Sequence, residues 1–372
     1  MKPRLRVAML TPRYYGEYAV RLALGLTPKC DVLLLSDAGL HQSCDQRGLD
    51  TTPLVAIKTF PSDTRWQRVA YVAVTLARLF WFRPHIVHCQ EYPEWPDFWV
   101  VCVASLFFPI VLTVHDPLPH AGRDSEYARS RATTIRKLRL RARAVFVNGV
   151  HCRDTFAVLP GMEEMPIVTT RHGVLLVPAP EQRRQPRPRS ILFFGRMEEY
   201  KGIEILLDAM EQLAASGIEF SLVFAGRGPE LQRLGARIAA LPMISVEERF
   251  LSPDDAIAEF QSASVVVLPY LDATQSGVAA AAFANGRPVV ATQVGGLSEI
   301  VVDGVNGLLI EPGSSAALAD ALTRLLSSDM EWQRLADGAT ATARGPLNWS
   351  QIAEEMAGAY QLLLSDSREI RT

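Results

Sequence analysis

Three short stretches of this sequence join glycine to a cation or a hydroxyl in a way that suits an anion. They are Gly195-Arg196 with Lys201-Gly202 just beyond, Gly226-Arg227-Gly228, and Ser276-Gly277-Val278 at the head of an alanine-rich segment. Glycine lets backbone N–H groups approach a phosphate, arginine offers a planar fork to its oxygens, and lysine adds a mobile charge. A helix that begins on small residues also points free N–H groups at such an anion. Arg196 and Lys201 bracket one loop, so the two cations are placed to converge on a single diphosphate; the plainer reading is two solvated surface charges. In the first half, His115-Asp116 closes an apolar run. Glu91 and Glu94 follow another and flank Tyr92 and Pro93, a setting for binding hydroxyl groups or simply for water. No G-x-G-x-x-G opens either half and no Walker lysine is present, which disfavours dinucleotide and P-loop sites. The seven histidines form no H-E-x-x-H or other ligand spacing, so no metal site is expected.

These residues need strand ends to hold them. The stretch around the third anion feature reads as strand Val265–Leu268, a polar loop through Thr274, Gln275 and Ser276, an alanine-rich helix to Ala284, and a second strand over 288–292. That succession leaves no space for a hairpin and predicts a parallel sheet whose crossovers present loops at the strand ends. Similar runs predict strands over 5–10, 31–35, 54–57, 86–88, 110–114, 144–148 and 168–170, then 191–194, 220–225, 244–250 and 308–310. Helices are expected over 18–26, 66–82, 121–143, 151–158, 202–213, 229–240, 253–261, 315–326, 331–344 and 349–364, with an acidic, aromatic loop running into another helix over 90–99. Between the two series lies PAPEQRRQPRPR, residues 178–189, with four prolines, four arginines and no apolar period, which reads as a linker. The expected organisation is therefore an N-terminal domain over 1–177, the linker, a second domain over 190–345 and a last helical segment over 346–372. Two such α/β domains predict a cleft, with ligands at the strand C-terminal ends.

The totals agree with a two-domain chain of 372 residues, 48% apolar and 21% charged. A net charge of −2 gives no reason to expect nucleic acid. The five cysteines Cys30, Cys44, Cys89, Cys102 and Cys152 are scattered without a C-x-x-C, as in a reducing, cytoplasmic setting. No signal peptide is visible, and the longest apolar run, Phe98 to Val114, is split by Pro109 and falls short of the ~20 residues of a membrane helix. Trp81 and Phe82, with Arg78 and Arg83 near, offer peripheral contact with a bilayer, against the plainer reading that they pack within the domain. The arginines between Arg123 and Arg143 suit an anionic acceptor or lipid, or a solvated helical face.

The second half resembles the retaining glycosyltransferases of family 4, which have the GT-B fold. The resemblance rests on Gly195-Arg196-Met197 with Lys201-Gly202-Ile203, on Ala225-Gly226-Arg227-Gly228-Pro229, on Gly286-Arg287-Pro288-Val289-Val290-Ala291-Thr292, on Gly295-Gly296-Leu297-Ser298-Glu299, and on Asp303-Gly304 and Asn306-Gly307. Gly16, His115-Asp116 and His172-Gly173-Val174 carry it more weakly in the first half, and the helix from Trp349 resembles the segment that crosses back to the N-terminal domain. The resemblance implies two Rossmann-like α/β/α domains facing a deep cleft. It implies a nucleotide-diphosphate sugar as donor, UDP- sooner than GDP-, with no other cofactor and no catalytic metal. The donor would contact Gly16, Arg196, Lys201, Gly226, Arg249, Asp272, Ser276, Gly277, Val278 and Glu299. A hydroxyl acceptor, free or lipid-linked, would lie near Tyr14, Tyr15, Glu91, Glu94 and Asp116. His115, Arg196 and Lys201 would be the catalytic groups. The implied protein is a monomer or homodimer in the cytoplasm or at the inner face of the membrane. One departure stands out: the family's two glutamates, with seven residues between them, fall on Ala273 and Ala281. Asp272 is a partial substitute for the first. The departure keeps open a second reading, a non-catalytic nucleotide-sugar binder or a partner subunit of a transferase. A sugar-nucleotide epimerase of similar fold is a third.

Overall fold

A computed structural model describes residues 4–11, 16–37, 55–59, 64–92, 94–118, 123–179 and 184–369. Tyr14 and Tyr15 lie outside the described residues. The described residues fall into two compact units, one within Met1–Pro119, Arg123–Arg171 and Trp349–Thr372, the other mainly His172–Asn348.

The first unit is built on β1 (Leu5–Leu10), β2 (Cys30–Asp37), β3 (Val55–Thr59), β4 (Ile86–Gln90), β5 (Ile110–Val114), β6 (Ala144–Asn148) and β7 (Ile167–Thr170), in the order β3-β2-β1-β4-β5-β6-β7. Every pairing is parallel. β4, β5 and β6 are buried along their whole length, as strands covered on both faces must be. The second unit repeats the plan with β8 (Ser190–Arg196), β9 (Ser221–Arg227), β10 (Ile244–Glu247), β11 (Val265–Leu268), β12 (Val289–Thr292) and β13 (Gly307–Ile310), in the order β10-β9-β8-β11-β12-β13, again parallel. In each sheet the strand order reverses beside the first strand. Loops leaving the two strands there part to opposite faces and open a crevice at the carboxyl ends. For the first unit the crevice falls between the ends of β1 and β4, for the second between those of β8 and β11.

The helix Trp349–Glu369 belongs to the first unit, as expected of a segment crossing back. It lies so close on the helix Gly16–Leu26 that a Cβ on Gly25 would stand 2.7 Å from the Trp349 carbonyl oxygen. Tyr360 is fully buried and its hydroxyl meets His88 Nδ1. His88 Nε2 is 2.6 Å from Thr113 Oγ1, and burial pushes the imidazole down to about 3, so it is neutral.

Some local expectations change. The helix foreseen over 229–240 is two short ones, Pro229–Arg233 and Gly235–Ala239, broken at Leu234 before a residue with poor helix propensity. β10 ends at Glu247 rather than Phe250, whose ring is 79% exposed. The helix foreseen over 90–99 is Trp95–Ala104, beginning after Glu94 with proline in its first turn. Residues 184–189 are no free spacer. Arg287 Nη2 donates to the Arg184 carbonyl at 2.8 Å, Arg187 N donates to Ser262 O at 2.9 Å, and the hydroxyl of Ser264 donates to Arg187 O at 2.6 Å. Local composition misses this because the binding groups come from distant parts of the second unit.

Candidate functional site

In the second unit the anion-suited residues meet at the crevice between β8 and β11. β8 ends in Gly195-Arg196, and the turn Glu199–Lys201 follows. Gly202 then takes a left-handed conformation, φ 68°, where a Cβ would lie 2.0 Å from the Pro269 carbonyl oxygen. Only glycine permits that closeness, and it brings Lys201 against the loop after β11. Lys201 is buried, and its Nζ lies 3.4 Å from where a Cβ on Gly195 would stand, a point also 3.9 Å from Val278 Cγ2. The ammonium donates to Tyr270 Oη at 2.8 Å and sits 4.4 Å from that ring's centre. Tyr270 Oη also hydrogen-bonds the Ser276 side chain. Ser276 in turn caps the helix Gly277–Ala284, accepting from Ala279 N at 3.2 Å. Helix geometry leaves the N–H groups of Gly277 and Val278 without an intrahelical carbonyl.

The electrostatics of this corner favour an incoming anion. No ion pair to Lys201 occurs among the described residues. Burial, reinforced by the positive charge of Arg196 and opposed by Glu198, lowers Lys201 from 10.5 to about 7. Arg196 itself is exposed, with Nη2 3.3 Å from Tyr200 Oη. Gln275, in the loop just before Ser276, has a buried Oε1 with no hydrogen-bond partner. A buried acceptor left unpaired in a native fold asks for an explanation, and a ligand hydroxyl supplies one.

The first unit gathers a second polar cluster at the ends of β4, β5 and β6. His115 follows β5 and is buried; its Nε2 lies 2.8 Å from Gln90 Oε1, and Asn148 Nδ2 is 3.5 Å from its Nδ1. Tyr18 meets the imidazole edge-on at 4.9 Å between ring centres. Gln90 Nε2 and Asn148 Oδ1 are each buried without a partner. One spare donor and one spare acceptor beside a histidine suit hydroxyl groups, which donate and accept at once.

The remaining candidates are dispersed. Both carboxylate oxygens of Glu91 accept from Arg139, at 2.6 and 2.8 Å, in a pair about nine-tenths buried, so Glu91 is engaged in holding the helix Arg123–Arg139 rather than open to an acceptor. Glu94 lies 3.6 Å from Arg131. Asp116 and Asp272 are exposed, and Gly16 opens its helix buried. Gly226 is a packing glycine: at φ 143° a Cβ would stand 1.9 Å from Gly195 O, so it lets β9 lie against the end of β8. Arg249 pairs on the surface with Asp255 at 2.7 Å and Glu247 at 3.4 Å. Glu299 is exposed on the short helix Leu297–Ile300. Among the described residues no group of three or more His, Cys, Asp or Glu is arranged to hold a metal ion. Sequence reasoning overlooked Tyr270, Gln90 and Asn148. Each had a signal, a polar residue at or just past the end of a buried apolar strand.

A model of glycosyltransferase family 4 matches residues 16–174, and a model described as glycosyl transferases group 1 matches residues 188–328. The chain is a glycosyltransferase homologue with the GT-B fold. This homologue is 37% identical over 163 residues to a phosphatidyl-myo-inositol mannosyltransferase of Mycobacterium leprae, which is 42% of either chain. It is 35% identical over 146 residues to a D-inositol 3-phosphate glycosyltransferase of Corynebacterium urealyticum, or 37% of this chain and 34% of that one. The chain thus spans well under half the length of these curated relatives. Among solved structures, sucrose-phosphate synthase of Thermosynechococcus elongatus superposes with a TM-score of 0.72 at 19% identity, over 98% of this chain and 100% of that one. Anabaena HepE, solved in complex with UDP, gives 0.68 at 17%, over 96% and 100%. At such identities the likeness concerns the fold. In this homologue the two positions where family 4 resemblance leads one to seek glutamates, Ala273 and Ala281, are both buried alanines.

Proposed function

We propose that the protein is a retaining, metal-independent glycosyltransferase that moves a sugar from a nucleoside-diphosphate sugar, UDP- in preference to GDP-, to a hydroxyl acceptor. The observation that carries the reading is Lys201, a buried ammonium without a described ion pair, held beside Gly195, Arg196 and a capped helix start at the switch point of a parallel sheet. A diphosphate supplies the missing negative charge. The UDP bound to HepE, a protein of the same fold, supports this class of ligand.

In this mechanism the bond between the anomeric carbon and the diphosphate oxygen breaks first. Negative charge grows on that oxygen, where Lys201, Arg196 and the N–H groups of Gly277 and Val278 stabilise it. The acceptor oxygen bonds to the anomeric carbon from the same face, and its proton passes to the leaving phosphate. His115 acts by positioning: both ring nitrogens already have protein partners, which suits a group that orients Gln90 and Asn148 toward hydroxyls. Gln275 Oε1 takes a donor hydroxyl that a glutamate would otherwise accept. Asp116, Glu94 and the residues before Gly16, Tyr14 and Tyr15 among them, remain the proposed acceptor contacts.

The test is transfer from a panel of nucleotide sugars, with Arg196→Ala and Lys201→Ala compared at equal folded fraction. Each is expected to lower kcat/KM by about 100-fold or more, the scale of losing one preorganised charge partner in the transition state. Full activity in both variants refutes the assignment. The buried alanines at 273 and 281 favour one second reading, a nucleotide-sugar binder without transfer. Calorimetric binding of a nucleotide sugar with no product on any hydroxyl acceptor would select it.

A further inference from the structure

The helix Arg65–Phe82 turns an apolar side to solvent. Only Thr75 and Leu79 are buried. Trp66 is 83% exposed, Val69 51%, Phe80 43% and Trp81 65%, and Ala70, Ala73 and Ala77 between them are exposed as well. Their spacing is that of one helical face, so they form a single stripe with a tryptophan near each end. At 1.5 Å per residue the two tryptophans stand about 22 Å apart along the axis. The stripe continues onto the turn after the helix Trp95–Ala104, where Leu106 and Phe107 are also exposed. Phe80 and Phe107 meet edge to face, 5.0 Å between ring centres, which joins the two elements into one patch.

The border of this patch is basic. Arg65, Arg78 and Arg83 are exposed on and just after the helix. Arg141 lies 6.0 Å from the Phe98 ring, and its charge and that of Lys137 act on Cys102 in the adjoining helix. No aspartate or glutamate occurs between Thr64 and Gln90 or between Phe98 and His115. Asp97, the acid on these two helices, is turned inward and accepts from Tyr71 Oη at 2.8 Å. Among the described residues no helix is long and apolar enough to cross a membrane, which leaves lying on one as the way for such a stripe to meet lipid.

We propose that this face docks the first unit peripherally on a bilayer of anionic phospholipid, with the helix Arg65–Phe82 lying in the interface. Trp66, Trp81, Phe80 and Phe107 enter the acyl boundary, while the arginines stay at the level of the headgroup phosphates. The charge decides against a second copy as the occupant. A two-fold pairing through this face would bring one basic border against another, with no carboxylate on the patch to pair either. This docking is independent of the catalytic reading and tests separately from it.

The experiment is flotation of the full chain with vesicles of equal parts phosphatidylglycerol and phosphatidylcholine, against vesicles of phosphatidylcholine alone. The protein is expected to float with the anionic vesicles only, and less so as salt rises. Trp81→Ser with Phe107→Ser removes exposed side chains and should abolish flotation while circular dichroism and the thermal unfolding midpoint stay those of the native chain. Arg65→Gln with Arg78→Gln, which leaves the apolar stripe intact, should weaken partitioning about thirty-fold. Should the serine variant fail to fold, the glutamine variant still decides. Absence of flotation by the native chain, equal flotation with neutral vesicles, or a concentration-dependent dimer in sedimentation that Trp81→Ser dissolves would each overturn the proposal.

Discussion

Replacing Lys201 by methionine should stabilise the protein and remove its donor binding together. The side chain is buried, and its ammonium falls from 10.5 to about 7, chiefly through desolvation. That drop corresponds to about 5 kcal/mol of cost for carrying the charge in the folded state. The lost hydrogen bond to Tyr270 and the contact with its ring return about 2–3 kcal/mol of this. The variant should therefore gain about 2 kcal/mol at pH 6. The sign follows from linkage. Below about pH 7 both folded and unfolded chains hold the proton, and the full cost is present. Between about 7 and 10.5 the unfolded chain keeps a proton that the folded one releases, so native stability rises with pH across that window. Urea unfolding of both proteins from pH 6 to 9, without nucleotide, measures the difference. The gain of the variant should shrink steadily above pH 7, and a UDP-sugar should stabilise the native protein alone. A variant no more stable than the native chain at pH 6, or a gain that ignores pH, would refute the picture of a buried ammonium awaiting an anion.

The same shift predicts proton uptake on binding. An anion beside Lys201 raises it again, so above pH 7 binding of a UDP-sugar should draw a proton from solution and weaken as pH climbs; calorimetry in buffers of different ionisation enthalpy reads this directly, and identical heats across buffers at pH 8 would count against it. Gln275→Ala should raise the donor KM about tenfold, the order of one lost hydrogen bond, with little effect on thermal stability, because Oε1 has no protein partner to lose. Glu91→Ala should cost about 3 kcal/mol by leaving Arg139 buried and unpaired, whereas a mere acceptor contact would leave denaturation unchanged.

The fold was largely legible because its signals are local. Val265–Leu268 is an uninterrupted apolar run ahead of Pro269, Ile110–Val114 is an apolar run after Pro109 broken only by Thr113, and both strands begin and end where the sequence predicts. The convergence of Gly195, Lys201 and Ser276 was legible as well, since glycine, cation and hydroxyl each stood at a strand or helix end. What sequence could not supply was commitment. Glu91 looks as available as Glu94 until Arg139, forty-eight residues later, takes both of its oxygens. Gly226 looks like a phosphate contact until the Gly195 carbonyl fills the space its missing Cβ leaves. The segment 184–189 looks like a free tether until Arg287 reaches its backbone. In each case the deciding partner lies far away along the chain, and local patterning carries no record of it.

The burial of Tyr360 beneath the first sheet also sets an order on synthesis. Tyr360 lines the core with His88 and Phe146, from strands made more than two hundred residues earlier. While the ribosome is still making the second unit, the first has its strands but not the helix that covers Gly16–Leu26, and His88 lacks its tyrosine. The described residues of the second unit all lie between His172 and Asn348, so it waits for nothing made later. Most of the unit that is translated first is thus completed only by the helix that is translated last.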